Sequence, residues 1–184
     1  MTTEEKNKDT KRKIIEVADK LFAQNGFSGT SVREIAKQAQ VNLAAINYHF
    51  TNKENLYWSV FDYNYDLLDL GIHKIGEKNL TTSELACEVF QFYISNGSAI
   101  MNIFKIFLSD NVAMPKEGIK QDKGEKMGPP GENVFIKAIK HDLSNDVSDE
   151  GVKWATKMII SQLVHLAVVF STGIMKQRCK EQYE

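Results

Sequence analysis

Apolar residues recur at every third or fourth position along most of the chain, which is the spacing of helices that bury one face. The first run predicts a helix over residues 10–25, preceded by a disordered polar arm over residues 1–9 and ended by Gly26. Later runs predict helices over residues 53–75, 84–96, 100–108, 133–143 and 149–177. The almost wholly apolar run 100–108 should be buried on most sides. The pattern predicts an all-α fold.

Residues 30–53 predict two short helices joined by a tight turn. Ser31 can cap the first helix, and Glu34 stands three residues later, which is the spacing of a capping box. Residues 40–42 break the apolar period, and Asn42 is a good cap for the second helix. These signals predict a helix-turn-helix.

The second helix, over residues 43–50, is predicted to bury Ile46 and Phe50 and to turn its other side outward. A short helix after such a turn, with small and amide-bearing side chains on its free face, is the geometry that enters a DNA major groove. The residues predicted on that free face are Leu43, Ala44, Asn47 and His49.

Four stretches, Phe27–Ala36, Val41–Asn42, Asn47–Phe50 and Lys53–Leu56, resemble the DNA-binding head of the TetR/AcrR family of bacterial transcriptional regulators. The resemblance covers roughly the first third of the chain. It implies that the second helix of the motif and the following lysine hold an operator half-site. The implied contacts are Arg33 at the groove edge, Leu43 and Ala44 at base edges, and Tyr48, His49 and Lys53 at or near the backbone. Ser31, Asn42 and Asn47 complete the candidate DNA-binding set.

The chain departs from the family pattern at two positions. Gln40 stands at the turn position that the family usually fills with glycine, and a left-handed backbone there would cost about 1 kcal/mol. Asn47 stands where the family often has a phosphate-binding tyrosine, and an asparagine can instead pair with adenine N6 and N7. Lys53 opens a helix, where a cation is unfavourable unless a bound phosphate offsets the helix dipole.

Other interpretations of the candidate residues stay open at this point. Tyr48 could pack between the head and the next helix, and His49 could be an ordinary surface or interface histidine. Arg33 could pair with Glu34 or Glu16 instead of meeting DNA.

Composition and charge agree with a globular DNA-binding protein. The 184 residues are 42% hydrophobic and 26% charged, which excludes a disordered chain. Residues 1–53 hold nine Lys or Arg and six Asp or Glu, a net charge of +3, although the whole chain carries −1. Duplex DNA favours such a local basic face, and this supports a double-stranded DNA partner weakly.

Several classes of protein are not expected. Cys87 and Cys179 stand apart with no paired ligands nearby, so we expect no disulfide, no metal and no cofactor. The polar N-terminus lacks an apolar signal core and no run looks long enough to span a bilayer, which favours a cytoplasmic protein with no membrane contact. The sequence shows no nucleophile in a catalytic arrangement, no paired carboxylates in an apolar setting and no metal-ligand cluster. We therefore do not expect an enzyme.

We expect two domains, a DNA-binding domain over residues 1–52 and a helical effector-binding and dimerisation domain over residues 53–184. In the latter, Thr82 or Ser83 should cap the helix over residues 84–96. The family resemblance implies that the last two helices form a four-helix bundle with a second subunit. The candidate interface residues are Phe135, Ile139, Trp154, Met158, Leu166 and Phe170.

An effector pocket for a small apolar or aromatic molecule is a further prediction for the helical body. Gln162 and His165 would be its polar groups, although they could equally face the dimer seam or lie satisfied in the core. The apolar walls, which are more often plain core, would come from Phe61, Tyr65, Phe90, Tyr93, Phe104 and Phe107. The irregular stretch 109–131 is either a lid or, as we favour, disordered.

Together these observations predict a homodimeric transcriptional regulator, most simply a repressor, which binds an inverted repeat and responds to a small molecule. One alternative is a DNA-binding dimer with no effector, whose body serves assembly or a protein partner. Another is a helical binding module whose DNA head is vestigial, an alternative that Gln40 and Asn47 keep open.

Overall fold

The computed structural model describes residues 3–108, 112, 128–143, 147–175 and 177, and every regular element in this part of the chain is an α-helix. This confirms the all-α prediction. The helices are α1 (Thr3–Gly29), α2 (Val32–Ala39), α3 (Leu43–Phe50), α4 (Lys53–Gly76), α5 (Thr82–Ser95), α6 (Gly97–Phe107), α7 (Glu132–Asp142) and α8 (Asp149–Ser171).

The chain divides into two compact units. The first unit comprises Met1–Asn64 with Asn102–Lys120, and the second comprises Tyr65–Met101 with Gln121–Glu184. Helix α4 therefore leaves the first unit after Asn64, and α6 returns to it at Asn102. The functional boundary expected after residue 52 stays a prediction.

Helix α1 begins much earlier than the apolar pattern indicates, so the disordered arm expected over residues 1–9 is wrong for residues 3–9. Glu4 and Glu5 lie in the first turn, where acidic groups stabilise the helix dipole, and the Thr10 hydroxyl donates to the Lys6 carbonyl at 2.8 Å. Because this stretch is exposed to solvent and has no apolar face, the hydrophobic pattern could not indicate a helix there. The predicted interruption at Gly26 is confirmed, because its φ of 70° and ψ of 178° are not helical.

The apolar faces of the first four helices, together with Ile106 of α6, form the core of the first unit. Phe27 and Val41 pack against this core, as the sequence predicts. The Tyr57 ring lies 4.8 Å from the Phe22 ring centroid and 5.0 Å from that of Phe27. The core of the first unit includes these fully or nearly fully buried residues: Ile14, Ala18, Leu21, Ile35, Ala39, Ile46, Phe50, Leu56 and Val60.

A polar junction inside the first unit joins α1, α4 and α6. The Asp19 Oδ1 atom accepts hydrogen bonds from Asn64 Nδ2 at 2.7 Å and from Asn102 Nδ2 at 2.8 Å. Both asparagines are buried, and Asn64 Nδ2 also donates to the Val60 carbonyl at 3.0 Å. One carboxylate thus satisfies two buried amides at the points where α4 leaves the unit and α6 enters it.

Helices α5, α7 and α8 build the second unit, whose fully buried side chains include Tyr93, Phe135, Ile160, Val89 and Val152. Helix α5 is capped by Thr81, not by Thr82 or Ser83, because Glu84 at the third position completes a capping box with Thr81. Helix α8 ends at Ser171, earlier than the predicted end near residue 177, with Thr172 as its C-cap.

The second half of α6 is not buried on most sides as expected, since Phe104, Phe107 and Leu108 are exposed. Most of the predicted loop, residues 109–111 and 113–127, lies outside the described residues. Whether it is a lid or disordered therefore stays a prediction.

Among the described residues, α8 is long and apolar enough to cross a membrane by length and composition, with 23 residues and a mean hydropathy of 1.3. The expectation that no run reaches this threshold is wrong for α8. A helix of a soluble protein also meets this test when one of its sides packs on a core or on a partner. The finding therefore shows only that α8 is unusually apolar.

Candidate nucleic-acid interface

The turn between α2 and α3 is built from capping residues that the sequence identifies. Ser31 Oγ accepts the Glu34 amide at 3.1 Å, as predicted, while the Glu34 carboxylate accepts from Gln38 Nε2 at 3.5 Å. Gln40 has the left-handed backbone (φ 54°, ψ 44°) that glycine normally supplies. The Val41 amide then reaches back to the Ala36 carbonyl at 3.0 Å, so the turn closes despite the side chain at Gln40.

Helix α3 has the predicted bounds, and it begins at the predicted cap. Asn42 Oδ1 accepts the Ala45 amide at 2.7 Å, so this side chain sets the start of the helix and its direction. Ile46 and Phe50 are buried, as predicted, and they fix the rotation of α3 about its own axis. Asn42 is therefore a positioning residue in this structure, with its acceptor oxygen already engaged.

The outer face of α3 presents a mixed set of side chains to solvent. Leu43 is 40% exposed and Tyr48 is 75% exposed, and Ala44 and Asn47 are exposed as well. The alternative in which Tyr48 packs between the head and α4 is therefore wrong. An exposed phenol, an amide and two small apolar groups can hydrogen-bond to phosphate and base edges and contact thymine methyl groups.

His49 lies half-buried beside this face. Its ring centroid is 5.2 Å from that of Tyr48 and 5.9 Å from that of Phe50, and burial together with nearby Lys11 lowers its pKa. The Lys11 ammonium lies 5.9 Å from the Phe50 ring centroid, so α1 brings a cation to the end of α3. A neutral imidazole here can gain a proton when a phosphate approaches.

Lys53 opens α4 next to the same surface. The preceding Asn52 caps the helix by accepting the Asn55 amide at 2.7 Å. The Lys53 ammonium lies 4.2 Å from the Phe27 ring centroid, a cation–π contact that holds the side chain on the head, and burial lowers its pKa. Lys53 is therefore held against the Phe27 ring before any anion binds.

Arg33 is exposed on α2 and free to meet an anion. Glu16, one of its two possible partners, pairs with Arg12 instead at 2.8 Å. Within the part of the chain that the structure describes, no carboxylate lies within 4 Å of Arg33. The ion-pair alternative for Arg33 is not observed among these residues.

Two of the six predicted interface residues are wrong, because Phe135 and Ile139 are 0% and 4% exposed in the core of the second unit. Phe170 is half-buried, with its ring centroid 6.2 Å from that of Phe90. Trp154, Met158 and Leu166 are exposed on α8, together with Val169. These four residues define the α8 stripe, which follows helical spacing along one side of the helix.

The predicted effector-pocket residues are scattered. Tyr93 is buried and Tyr65 donates its hydroxyl to the Gly128 carbonyl at 2.9 Å, with burial raising the pKa of Tyr65 to about 12. Phe104 and Phe107 are exposed, and Phe61 is half-buried with its ring centroid 5.7 Å from that of Trp58.

Gln162 and His165 are exposed on α8, next to the α8 stripe, so they are not polar groups of an enclosed pocket in this chain. Their position agrees with the alternative that they face the dimer seam. A cavity of about 390 Å³ does exist in the second unit, but other residues line it.

The junction of Asp19, Asn64 and Asn102, which holds α1 to α4 and α6, was not predicted from the sequence. No local pattern could have revealed it, because the hydrogen-bonded partners are separated by 45 and 83 positions in the chain.

Comparison with known proteins agrees with this geometry. Residues 14–60 match the family model of bacterial regulatory proteins of the tetR family. The chain is 66% identical over 47 residues to the probable HTH-type transcriptional regulator YttP of Bacillus subtilis, a match that covers 26% of this chain and 23% of YttP. The chain thus spans about a quarter of the length of that relative.

Two longer matches extend beyond the head. The chain is 26% identical over 163 residues to IcaR of Staphylococcus aureus (strain Newman), a negative transcriptional regulator of the biofilm operon icaADBC, covering 83% of this chain and 86% of IcaR. The structure of AibR in complex with isovaleryl coenzyme A and operator DNA shares the fold, with a TM-score of 0.59, 19% identity and coverage of 86% and 85%. Residues 14–60 thus match the tetR family of bacterial regulatory proteins, and the longer matches show similarity to transcriptional regulators over most of the chain.

Proposed function

We propose that this protein is a sequence-specific DNA-binding repressor that acts in the cytoplasm as a homodimer on an inverted repeat. The observation that carries the proposal is the exposed face of α3. This helix is capped by Asn42, locked by two buried side chains and has two lysines near its C-terminal end. Repression is favoured by the relative IcaR, which is a negative regulator.

In the proposed complex, α3 lies in the major groove with its N-terminal half at the base edges. Leu43 and Ala44 contact thymine methyl groups, and Asn47 reads an adenine through N6 and N7. Tyr48 donates its hydroxyl to a phosphate. Arg33 on α2 and Lys53 on α4 neutralise phosphates on either side, which makes binding dependent on salt and fixes the register of α3.

Dimerisation is proposed to use the α8 stripe. Aromatic and apolar side chains that follow one side of a helix, with few charges among them, have the composition of a protein interface core. The proposal requires that a second copy, packed on this stripe about a two-fold axis, sets the two α3 helices about 35 Å apart, one turn of DNA.

Release by a small molecule is proposed to pass through α4. This single helix carries Lys53 at its start and continues without a break into the second unit, where it ends at Gly76. AibR has been captured with both isovaleryl coenzyme A and operator DNA, so a relative of this fold binds both kinds of partner. A ligand can release DNA only if it binds the DNA-free arrangement more tightly than the DNA-bound one.

The test is selection of duplexes from a random pool by the purified full chain, followed by sequencing. The proposal expects an enriched inverted repeat with half-site centres about one helical turn apart. The matched control is a chain with Arg33→Ala and Lys53→Ala, which should stay folded and enrich nothing. Enrichment of single, unrepeated sites, or no enrichment at moderate salt, would contradict the proposal.

A further inference from the structure

Two basic side chains from different helices meet at the C-terminal end of α3. His49 lies in the last turn of α3, and Lys11 comes from α1, with its ammonium 5.9 Å from the ring centroid of Phe50, the next residue along α3. Lys11 is exposed, and within the described residues no carboxylate lies within 4 Å of it. We name these two side chains the Lys11–His49 pair.

The His49 ring is held by its neighbours but keeps part of its surface in solvent. It is half-buried, and its ring centroid lies 5.9 Å from that of Phe50, which is itself buried. On the other side it lies 5.2 Å from the ring of Tyr48, whose titratable phenol is 75% exposed. The imidazole therefore stands beside the face of α3 that carries the proposed phosphate contact of Tyr48.

Three influences set the charge of this imidazole in the free chain. Burial and then the Lys11 ammonium lower the pKa of His49, although the last turn of a helix favours a cation. Neither Lys37 of α2 nor Lys53 and Glu54 of α4 contributes to this shift. The ring is therefore neutral in the free chain at neutral pH, and Lys11 is the charged group that opposes its protonation.

A DNA phosphate at this end of α3 acts on both members of the Lys11–His49 pair. It attracts the imidazolium directly, and it neutralises Lys11, which then repels the imidazolium less. Both effects raise the pKa of His49 in the complex relative to the free chain. The added proton comes from the buffer and goes to the ring nitrogen that carries none in the neutral form. Binding of DNA and binding of a proton are then linked.

We propose that operator binding by this protein takes up one proton at His49 of each subunit, with a phosphate contacting both the imidazolium and the Lys11 ammonium. The inference rests on the proposed operator binding and adds a regulatory input at the same surface. A fall in pH tightens the repressor on its operator, with no small-molecule ligand involved.

The direction and the pH range of the effect follow from the two protonation states. Above the His49 midpoint of the complex the ring is neutral with and without DNA, and below the midpoint of the free chain it is charged in both. Between the two midpoints, the logarithm of the association constant falls by up to about one unit per pH unit for each histidine. We expect affinity to change by about tenfold for each subunit across this range, which is the usual size of such a charge interaction.

The experiment measures the affinity of the full chain for its selected inverted repeat by fluorescence anisotropy, between pH 5.5 and pH 8.5 at constant ionic strength. His49→Gln keeps a hydrogen-bond donor but cannot take up the proton, so this chain should bind the repeat with the pH dependence lost. The matched control is His141→Gln, at an exposed histidine of α7 in the second unit, which should keep the pH dependence of the parent chain.

Two further measurements locate the effect. Lys11→Gln removes the cation that opposes protonation, so the pH range of the effect should move upward. The log–log salt slope of this chain should also flatten by about 0.9 for each lost phosphate contact. NMR of the His49 Cε1–H group in the parent chain should show a midpoint at higher pH in the complex than in the free chain.

A pH dependence that persists in the His49→Gln chain would overturn the proposal, as would equal His49 midpoints with and without DNA. An unmoved pH range in the Lys11→Gln chain would overturn the part assigned to Lys11. Binding of the repeat with an affinity independent of pH would contradict this inference and leave operator binding standing. Absence of binding at every pH would contradict the proposed function itself, and this inference with it.

Discussion

Helices α3 and α8 both turn a face to solvent, but the two faces differ in chemistry. The face of α3 carries an amide, a phenol and small side chains, with Lys11 and Lys53 close to its C-terminal end. The α8 stripe carries an indole, a thioether and aliphatic groups. A hydrated polyanion is bound by the first kind of surface and a protein partner by the second. We therefore expect DNA on the exposed face of α3 and a second copy of the chain on the α8 stripe.

The largest expected effect comes from placing charge on the α8 stripe. Met158→Glu with Leu166→Glu would bury unpaired carboxylates in the proposed interface, at a cost of about 3–5 kcal/mol each. We expect a monomer in sedimentation velocity and a loss of at least about 100-fold in affinity for an inverted repeat, because the second half-site is no longer tethered.

The control for this prediction is Leu70→Glu, which adds the same charge at an exposed leucine of α4 in the second unit. That chain should remain a dimer. A double variant that also stays dimeric at micromolar concentration would show that the α8 stripe is not the interface.

The next largest effect is expected inside the first unit, at the Asp19 junction that joins α1, α4 and α6. Asp19→Ala leaves the buried Asn102 amide without its acceptor and takes one of two acceptors from Asn64, which should lower the free energy of unfolding by about 2–4 kcal/mol. Thermal denaturation measures the loss. Asp9→Ala, at an exposed carboxylate on the same helix, should cost far less, and equal losses would contradict the role of the junction.

The outer face of α3 should control which sequence is bound. Asn47→Ala removes a bidentate contact worth about 1–3 kcal/mol of discrimination at one base pair of each half-site. Competition binding with all four bases at each position should show the preference lost at a single position and kept elsewhere. A uniform loss of affinity at every sequence would show that Asn47 contacts only the backbone.

Lys53 should affect all sequences alike. Lys53→Gln removes one phosphate contact per subunit, so affinity should fall for every duplex, and the log–log salt slope should flatten by about 0.9 for each lost contact. Lys78→Gln, at a lysine of the second unit paired with Glu88, serves as the control and should leave the slope unchanged. If the salt slope of the Lys53→Gln chain is unchanged, Lys53 does not contact a phosphate and serves only as a partner of the Phe27 ring.

The smallest expected effect is the pH dependence that His49 gives to the free energy of unfolding. Burial and Lys11 lower its pKa in the folded chain, so the unfolded chain takes up a proton first as the pH falls. The contribution of His49 to stability is therefore complete above the ordinary histidine pKa and is lost below it. Thermal denaturation of His49→Gln at pH 8 and pH 5.5 should show a smaller decrease than the parent chain, and an equal decrease would contradict this linkage.

The sequence predicted a region well where the residues that determine its structure are close together in the chain. The bounds of α3 were predictable because Asn42, Ile46 and Phe50 are all local signals, a cap and two buried positions within nine residues. Even the left-handed Gln40 was foreseeable, since the turn demands that backbone whichever residue occupies it.

The helical body was less predictable, because one apolar helix can face its own core or a partner. Phe135 and Ile139 follow the same spacing as Trp154 and Met158, yet the first pair is buried and the second pair is exposed. The Asp19 junction and the cavity of the second unit depend on contacts between distant segments, which periodicity does not encode. The exposed first turns of α1 lack any apolar signal.

In the proposed complex, two α3 helices held by one dimer enter successive major grooves. The most direct test is to insert five base pairs between the half-sites of the selected repeat and measure affinity by fluorescence anisotropy. Because half a turn moves one site to the opposite side of the duplex, affinity should fall to that of a single half-site. Affinity that is unchanged by the insertion would contradict a dimer of fixed α3 spacing.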